Sequence, residues 1–158
     1  MNRAEPVSEF SALKPRVFLM RLELPFPPRE LSPNARVHWR VRAKATAEYR
    51  EACGWAAKTA IQQAAGMVFP LTPPVEAEVT FIVPDRRRRD LVDNLLASLK
   101  PVWDGFVDAG LLVDDRAEML SLSKAEVQVG VVYKEGNGWS AVVTSMVSIM
   151  LRSVKEES

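Results

Sequence analysis

Most of the residues that could do chemistry lie in one stretch, "PDRRRRDLVDNLLASLK", Pro84 to Lys100. Arg86, Arg87, Arg88 and Arg89 stand between Asp85 and Asp90, and Asp93 follows three residues later. A second acidic pair, Asp114 and Asp115, closes "DGFVDAGLLVDD". Acids at the ends of neighbouring elements suit a hard cation: magnesium takes a few carboxylates and fills its other positions with water or phosphate oxygens. Arginines beside such a site would hold the neighbouring phosphates. Cation and polyanion held together is therefore the chemistry this stretch suggests. Each acid also has a plainer use. Asp93 ahead of "NLLASL" is a good helix N-cap that suits the helix dipole, and Asp-Asp after a helix makes an ordinary turn. Asp85 and Asp104 are expected to be structural.

Lys100 follows Asp93 by seven positions. At ~100° per residue this is roughly 20° short of two full helical turns, so both would project from one face. A lysine there would approach a phosphate or an attacking water, or simply be exposed. A second basic segment, "RVHWRVRAKATAEYR", carries Arg36, Arg40, Arg42, Lys44 and Arg50 among His38, Trp39 and Tyr49. Cations interleaved with aromatics suit backbone phosphates and unstacked bases, although Trp and Tyr serve cores and interfaces more often. His38 is the single histidine, which excludes histidine-rich metal chemistry. There is no Walker loop, dinucleotide fingerprint or zinc spacing, so no small-molecule organic cofactor is expected.

The elements that must position these groups read in the order β-α-β-α-β-β. "VFLMRLEL" (Val17–Leu24) is a strand stopped by "PFPP", and the long loop to His38 follows. From Arg40 to Ala65 the composition is helical, with Val41, Ala45, Tyr49, Ala52, Ala56, Ala60 and Ala64 along one face and Gly66 as a stop. Val75, Ala77, Val79, Phe81 and Val83 alternate with Glu76, Glu78, Thr80 and Ile82, which is a half-buried strand delivering the chain into the arginines. A second helix is expected from Asp93 to Ala109, buried through Leu95, Leu99, Val102, Trp103, Phe106 and Val107, kinked near Lys100 by Pro101 and stopped at Gly110. A strand from about Leu120 then turns at "EGNG" (Glu135–Gly138) and returns as its hairpin partner, "WSAVVTSMVSIML". The fold class is α/β or α+β, with a mixed sheet of about four strands and two main helices.

The chain of 158 residues, 47% hydrophobic, is the size of a single domain, 1–158, with residues 1–15 and 153–158 expected to be loose. A net charge of +1 gives no global argument for nucleic acid, so that argument rests on clustering. One cysteine, Cys53, excludes an internal disulfide and suits a small apolar residue on a helix. The N-terminus lacks a secretory core and no run spans a membrane, so a soluble, cytoplasmic protein without a membrane partner is expected.

Three stretches in order, "PFPPRELSPNARVHW", "PDRRRRDLVDNLLASLK" and "DGFVDAGLLVDD", resemble the RusA-type Holliday junction resolvases of phages and prophages. With the expected strands the resemblance spans most of residues 18–150, and the arginine-aspartate block followed by "DAGLLVDD" is its specific part. It implies a small homodimeric, Mg²⁺-dependent endonuclease, with Mn²⁺ as a substitute, that cuts branched DNA, the four-way junction, in two symmetric nicks. Asp90, Asp93 and Asp115 would match the metal-binding carboxylates, Lys100 the catalytic lysine, and Asp114 an assisting neighbour. Arg36, Arg40, Arg42, Lys44 and Arg86 to Arg89 would face the DNA.

One residue departs from the pattern. The family pattern reads Asp-Leu-Asp-Asn, whereas this chain reads Asp90-Leu91-Val92-Asp93-Asn94. On a strand, residues three apart face opposite ways, so both ligands survive only if the helix starts earlier or the backbone bulges at Val92. Otherwise a ligand is lost, and the alternative is a catalytically impaired, junction-binding dimer. A metal-dependent hydrolase of small phosphoesters is a weaker alternative, since it would not need the second basic segment.

Overall fold

The computed structural model describes residues 16–130 and 145–155. The expected loose segment 1–15 and the expected turn at Glu135–Gly138 lie outside these.

The alternation from Val75 to Val83 gives the central strand its two faces. In β2 (Val75–Val83) the apolar series is buried and its partners are half-buried. The apolar face carries the core, where Val79 and Phe81 meet Ile149 and Leu151 of β4 (Met146–Lys155) and Leu22 and Leu24 of β1 (Arg16–Pro25). Two helices lie against it. α1 (Trp39–Gln63) contributes Tyr49, Cys53 and Ala57, and α2 (Lys100–Asp108) contributes Val102 and Phe106. The opposite face is polar, with Arg21, Glu23, Glu78 and Glu126 around a cleft. Among the described residues the architecture is a mixed four-stranded sheet with two α-helices, an α+β fold.

The strand order is β1-β4-β2-β3, with β3 (Leu120–Val129) at an edge, parallel to β2, and β4 antiparallel to both β1 and β2. The expected β3–β4 hairpin is therefore incorrect. Both strands exist, but they lie on opposite sides of β2. The reason is burial: β4 hides Val147, Ile149 and Leu151 and belongs in the middle, while β3 leaves both faces largely exposed and suits an edge. Ser123 is the extra residue of a bulge in β3 opposite Ala77 and Glu78. β4 also runs further than expected. Ser153 is buried and donates to the Thr72 carbonyl (2.6 Å), so the chain is ordered in β4 where fraying was expected.

The second helix differs most from expectation. Instead of one helix from Asp93, the chain makes a wide π-type turn over Leu91–Leu95, a 3₁₀ turn over Leu96–Leu99, and an α-helix from Lys100. Pro101 explains the break, because it has no N–H to donate and is tolerated only in the first turn of α2. Gly110, at φ +80°, ends it as expected. The buried face of α1 is as expected at Tyr49, which is buried, and at Ala45, Ala56, Ala60 and Ala64, which pack half-buried on the core. Val41 and Ala52 are instead exposed, and Cys53, Gly54 and Ala57 are buried beside that face. The cause is the contact with α2: a Cβ on Gly105 would lie 2.5 Å from the Arg50 carbonyl and 3.0 Å from the Gly54 nitrogen. The two helices touch backbone to backbone, and only glycine permits it. Cys53 is fully buried there; desolvation pushes its thiol up to about 12, so it packs as an apolar residue.

Candidate functional site

The extra residue Val92 is absorbed by the π turn. The Leu95 N–H donates to the Asp90 carbonyl five residues back (3.1 Å), which opens the turn by one residue. Val92 itself points outward, 69% exposed. Asp90 precedes the turn as its cap, its carboxylate accepting from the Asp93 N–H at 2.9 Å. Asp90 and Asp93 are both exposed. An earlier helical start and a local widening thus both occur, and the two acids sit on one turn.

That turn is tied to the N-terminal loop. Ser32 and Asn34 both donate to the side-chain oxygen of Asn94 (3.3 and 2.9 Å), and Ser98 donates to the Asn94 carbonyl (2.6 Å). Leu31 is buried ahead of them, and the Arg42 guanidinium donates to the Ala35 carbonyl (2.8 Å). The loop is consequently pinned at both ends.

The other acids are brought back by the chain after α2. Leu111 and Leu112 are buried and their N–H groups donate to the Phe106 carbonyl (2.9 and 3.3 Å). This reverses the chain, so Asp115 meets Lys100 at the opposite end of the helix. The Lys100 ammonium donates to Asp115 and, at 2.9 Å, to Asp104 one turn along. These hydrogen bonds, that to Asp115 first, hold the ammonium above the ordinary lysine range. Lys100 therefore carries its positive charge at neutral pH. Asp114 turns its carboxylate onto its own loop, accepting from the N–H groups of Asp115 (2.7 Å) and Arg116 (3.3 Å) and from the Arg116 side chain (2.7 Å). Desolvation alone would raise its carboxyl, but these donors outweigh it and the result is a depressed value.

The four arginines divide. Arg89 donates to the Asp85 carboxylate (2.9 Å) and to the carbonyls of Asp85 and Arg87, and the Arg87 N–H donates to the same carboxylate (3.0 Å). The Arg87 N–H, then Arg89, hold the Asp85 carboxyl below the ordinary carboxylate range. Arg86 and Arg88 point outward and make no ion pair with the described residues. In the second basic segment Arg36, Arg40 and Lys44 are exposed; Lys44 faces Glu48 at 3.8 Å, and Arg50 is held by Asp108 (2.5 and 2.8 Å).

The sequence-predicted residues therefore form two groups, Asp90 with Asp93 and Asp115 with Lys100. Their donor chemistry, carboxylate oxygen throughout, suits a hard cation. Among the described residues, however, no three acidic, histidine or cysteine side chains stand as a group able to hold a metal ion. As placed, the acids do not close around a cation, and Asp115 spends its charge on Lys100. Sequence reasoning missed Asn94, Ser32 and Asn34, and it named Asp104 as structural without its partner Lys100. The i, i+4 spacing of Lys100 and Asp104 was the one available signal; the Asn94 contacts span about sixty residues of chain and leave none.

Among the described residues no helix is long and apolar enough to cross a membrane. No protein-family model matches the chain. A protein of Xylella fastidiosa (strain Temecula1), described as "Uncharacterized protein", is 40% identical over 99 residues, which make up 62% of this chain and 61% of the relative. The match thus covers less than two thirds of that relative's length, and its name assigns no activity to what this chain resembles.

Proposed function

We propose that the protein is a Mg²⁺-dependent endodeoxyribonuclease of the RusA type that resolves four-way DNA junctions, acting as a homodimer. One observation carries the reading. The three stretches that bear the resemblance are joined by side-chain hydrogen bonds: Ser32 and Asn34 of the first bind Asn94 of the second, and Lys100 of the second binds Asp115 of the third. Segments far apart in sequence are thus linked side chain to side chain, which supports a shared site. In this reading Asp90, Asp93 and Asp115 would hold the cation, which would supply a hard Lewis acid and an activated water for phosphodiester hydrolysis. Asp114 shapes the loop that carries Asp115. Lys100 supplies a permanent positive charge suited to a phosphate, and exposed Arg86 and Arg88 extend that charge along the backbone.

A second reading, a junction-binding protein without cleavage, is favoured by one specific finding, the absence of a three-acid group among the described residues. A mobile four-way junction incubated with the protein in Mg²⁺ or Mn²⁺ separates the two. Paired symmetric nicks, lost in Asp93→Asn with binding kept, support the enzyme. Tight, salt-sensitive binding without any nick supports the binding protein; no gain of cutting on deleting Val92 would then show that Val92 is not the cause.

A further inference from the structure

Trp39 is the first residue of α1 and is 67% exposed. No packing in the described residues accounts for so large an apolar ring left in solvent. His38 stacks obliquely beside it, with ring centroids 5.7 Å apart, and the Arg40 guanidinium lies 5.3 Å from its centroid. The ring borders a cleft of about 600 Å³ whose floor is small, Ala43 and Ala47, and whose wall includes Arg42 and Arg50. Among the described residues no acid lines it.

We propose that Trp39 is a stacking platform for one unpaired nucleobase at the branch point of the DNA, with Arg36 and Arg40 on the flanking phosphates. The inference rests on the proposed function and adds to it a side chain and the part of the DNA it reads. An aromatic ring takes any base, because every base has a π face, and the gain depends on the base being free to leave its stack. A branch point offers such bases; continuous duplex does not. Charge argues for DNA over a second copy of the chain: Arg36 and Arg40 beside the ring are exposed and make no ion pair with the described residues, so they are open to a polyanion, whereas Arg50 on the cleft wall is already held by Asp108. Among the described residues the other exposed tryptophan shows the contrast. Trp55, with Lys58 at 4.6 Å, borders a smaller cleft of about 320 Å³ in which Glu51 and Asp108 balance Arg50 and Lys58, so that no positive excess is left for phosphate.

Trp39 is also coupled to the acidic turn. Asn34 is bonded to Asn94, next to Asp93, and the five residues from Asn34 to Trp39 reach at most roughly 18 Å. At about 3.4 Å of rise per nucleotide that stretch alone corresponds to roughly five nucleotides, and with the Asn34–Asn94 bridge added the stacked base falls within roughly ten nucleotides of a phosphate at Asp93.

The test uses a four-way junction with 2-aminopurine at the branch point, in buffer without divalent cations so that nothing is cut. Binding of the wild type should change the fluorescence of the central base and leave a probe in an arm unchanged. Trp39→Ala should abolish the change and weaken binding about 5- to 100-fold, the range of one lost stack, while Trp39→Phe keeps most of both. The exposed position predicts an unchanged melting temperature for both variants. Binding within twofold of wild type by Trp39→Ala, with the same signal, would overturn the inference while leaving the nuclease reading intact. A shift from dimer to monomer in sedimentation, without loss of the signal, would overturn it too, by assigning the ring to a contact between copies. Wild-type protein that binds no branched DNA would remove the proposed function itself.

Discussion

The two arginine-rich segments differ in what they do with their charge. Arg86 to Arg89 look like the stronger phosphate site in sequence, yet the Arg89 side chain is drawn onto Asp85, and Arg87 lends the same carboxylate its backbone N–H while its guanidinium stays exposed. The segment around Trp39 is more diluted, but it leaves Arg36 and Arg40 exposed on a helix start whose loop is pinned by Asn94 and Ala35. Charge density along a chain is thus a poor measure of charge offered to a partner. What matters is how many local acceptors, carboxylates and backbone carbonyls, compete for each guanidinium.

Both segments hang from one scaffold, and the largest expected effect comes from breaking it. Gly105→Ala places a methyl group 2.5 Å from the Arg50 carbonyl and forces α1 and α2 apart. A loss of about 1–3 kcal/mol is expected, the usual cost of overpacking, measured as a lowered denaturant midpoint. Because α1 carries one segment and α2 follows the other, DNA binding through both should weaken together; loss through one alone would mean that the segments do not share this support.

Next in size is the direct comparison of the arginines. Arg36→Ala with Arg40→Ala, and separately Arg86→Ala with Arg88→Ala, should each reduce the salt slope of junction binding by about two, one per phosphate contact. Arg89→Ala should instead lower the melting temperature and leave the slope nearly unchanged. A slope lost by Arg89→Ala equal to that lost per residue by Arg86→Ala with Arg88→Ala would erase the distinction.

The smallest effects are those of pH. Asp85, held by the Arg87 N–H and then by Arg89, and Asp108, held by Arg50, both have carboxyls below the ordinary 3.8. A depressed carboxyl contributes stability that is present above its unfolded value and is lost as pH falls through its folded one. Stability should therefore decline below about pH 4, and Asp85→Asn should flatten that limb. For Lys100 the sign reverses. Its raised value adds stability that is complete below 10.5 and lost only as pH rises beyond it, so Lys100→Met should flatten the alkaline limb alone.

How much of this was legible follows from the range of the interactions. The alternation of β2 and the Gly110 stop are local, and the structure has them where the sequence puts them. Strand order is not local: adjacency in sequence favoured a β3–β4 hairpin, whereas the three buried apolar side chains of β4 draw it to the centre. The core-facing side of α1 was legible at Tyr49, Ala45, Ala56, Ala60 and Ala64, but not its extension through Cys53, Gly54 and Ala57, which the Gly54–Gly105 contact with α2 sets. In the candidate site the residue types were legible and the pairings were not. Lys100 was expected to work beside Asp93, but it is held by Asp104 and Asp115, through a chain reversal that only the burial of Leu111 and Leu112 explains.

The measurement closest to the central claim is cleavage of a mobile four-way junction in Mg²⁺ by the wild type and by Asp93→Asn, with binding followed in parallel. The account predicts paired symmetric nicks from the wild type, a loss of cutting of about 10²-fold or more in the variant, the scale of removing one group that stabilises developing charge, and binding within about threefold. Wild-type protein that binds the junction and never nicks it in Mg²⁺ or Mn²⁺ would contradict it.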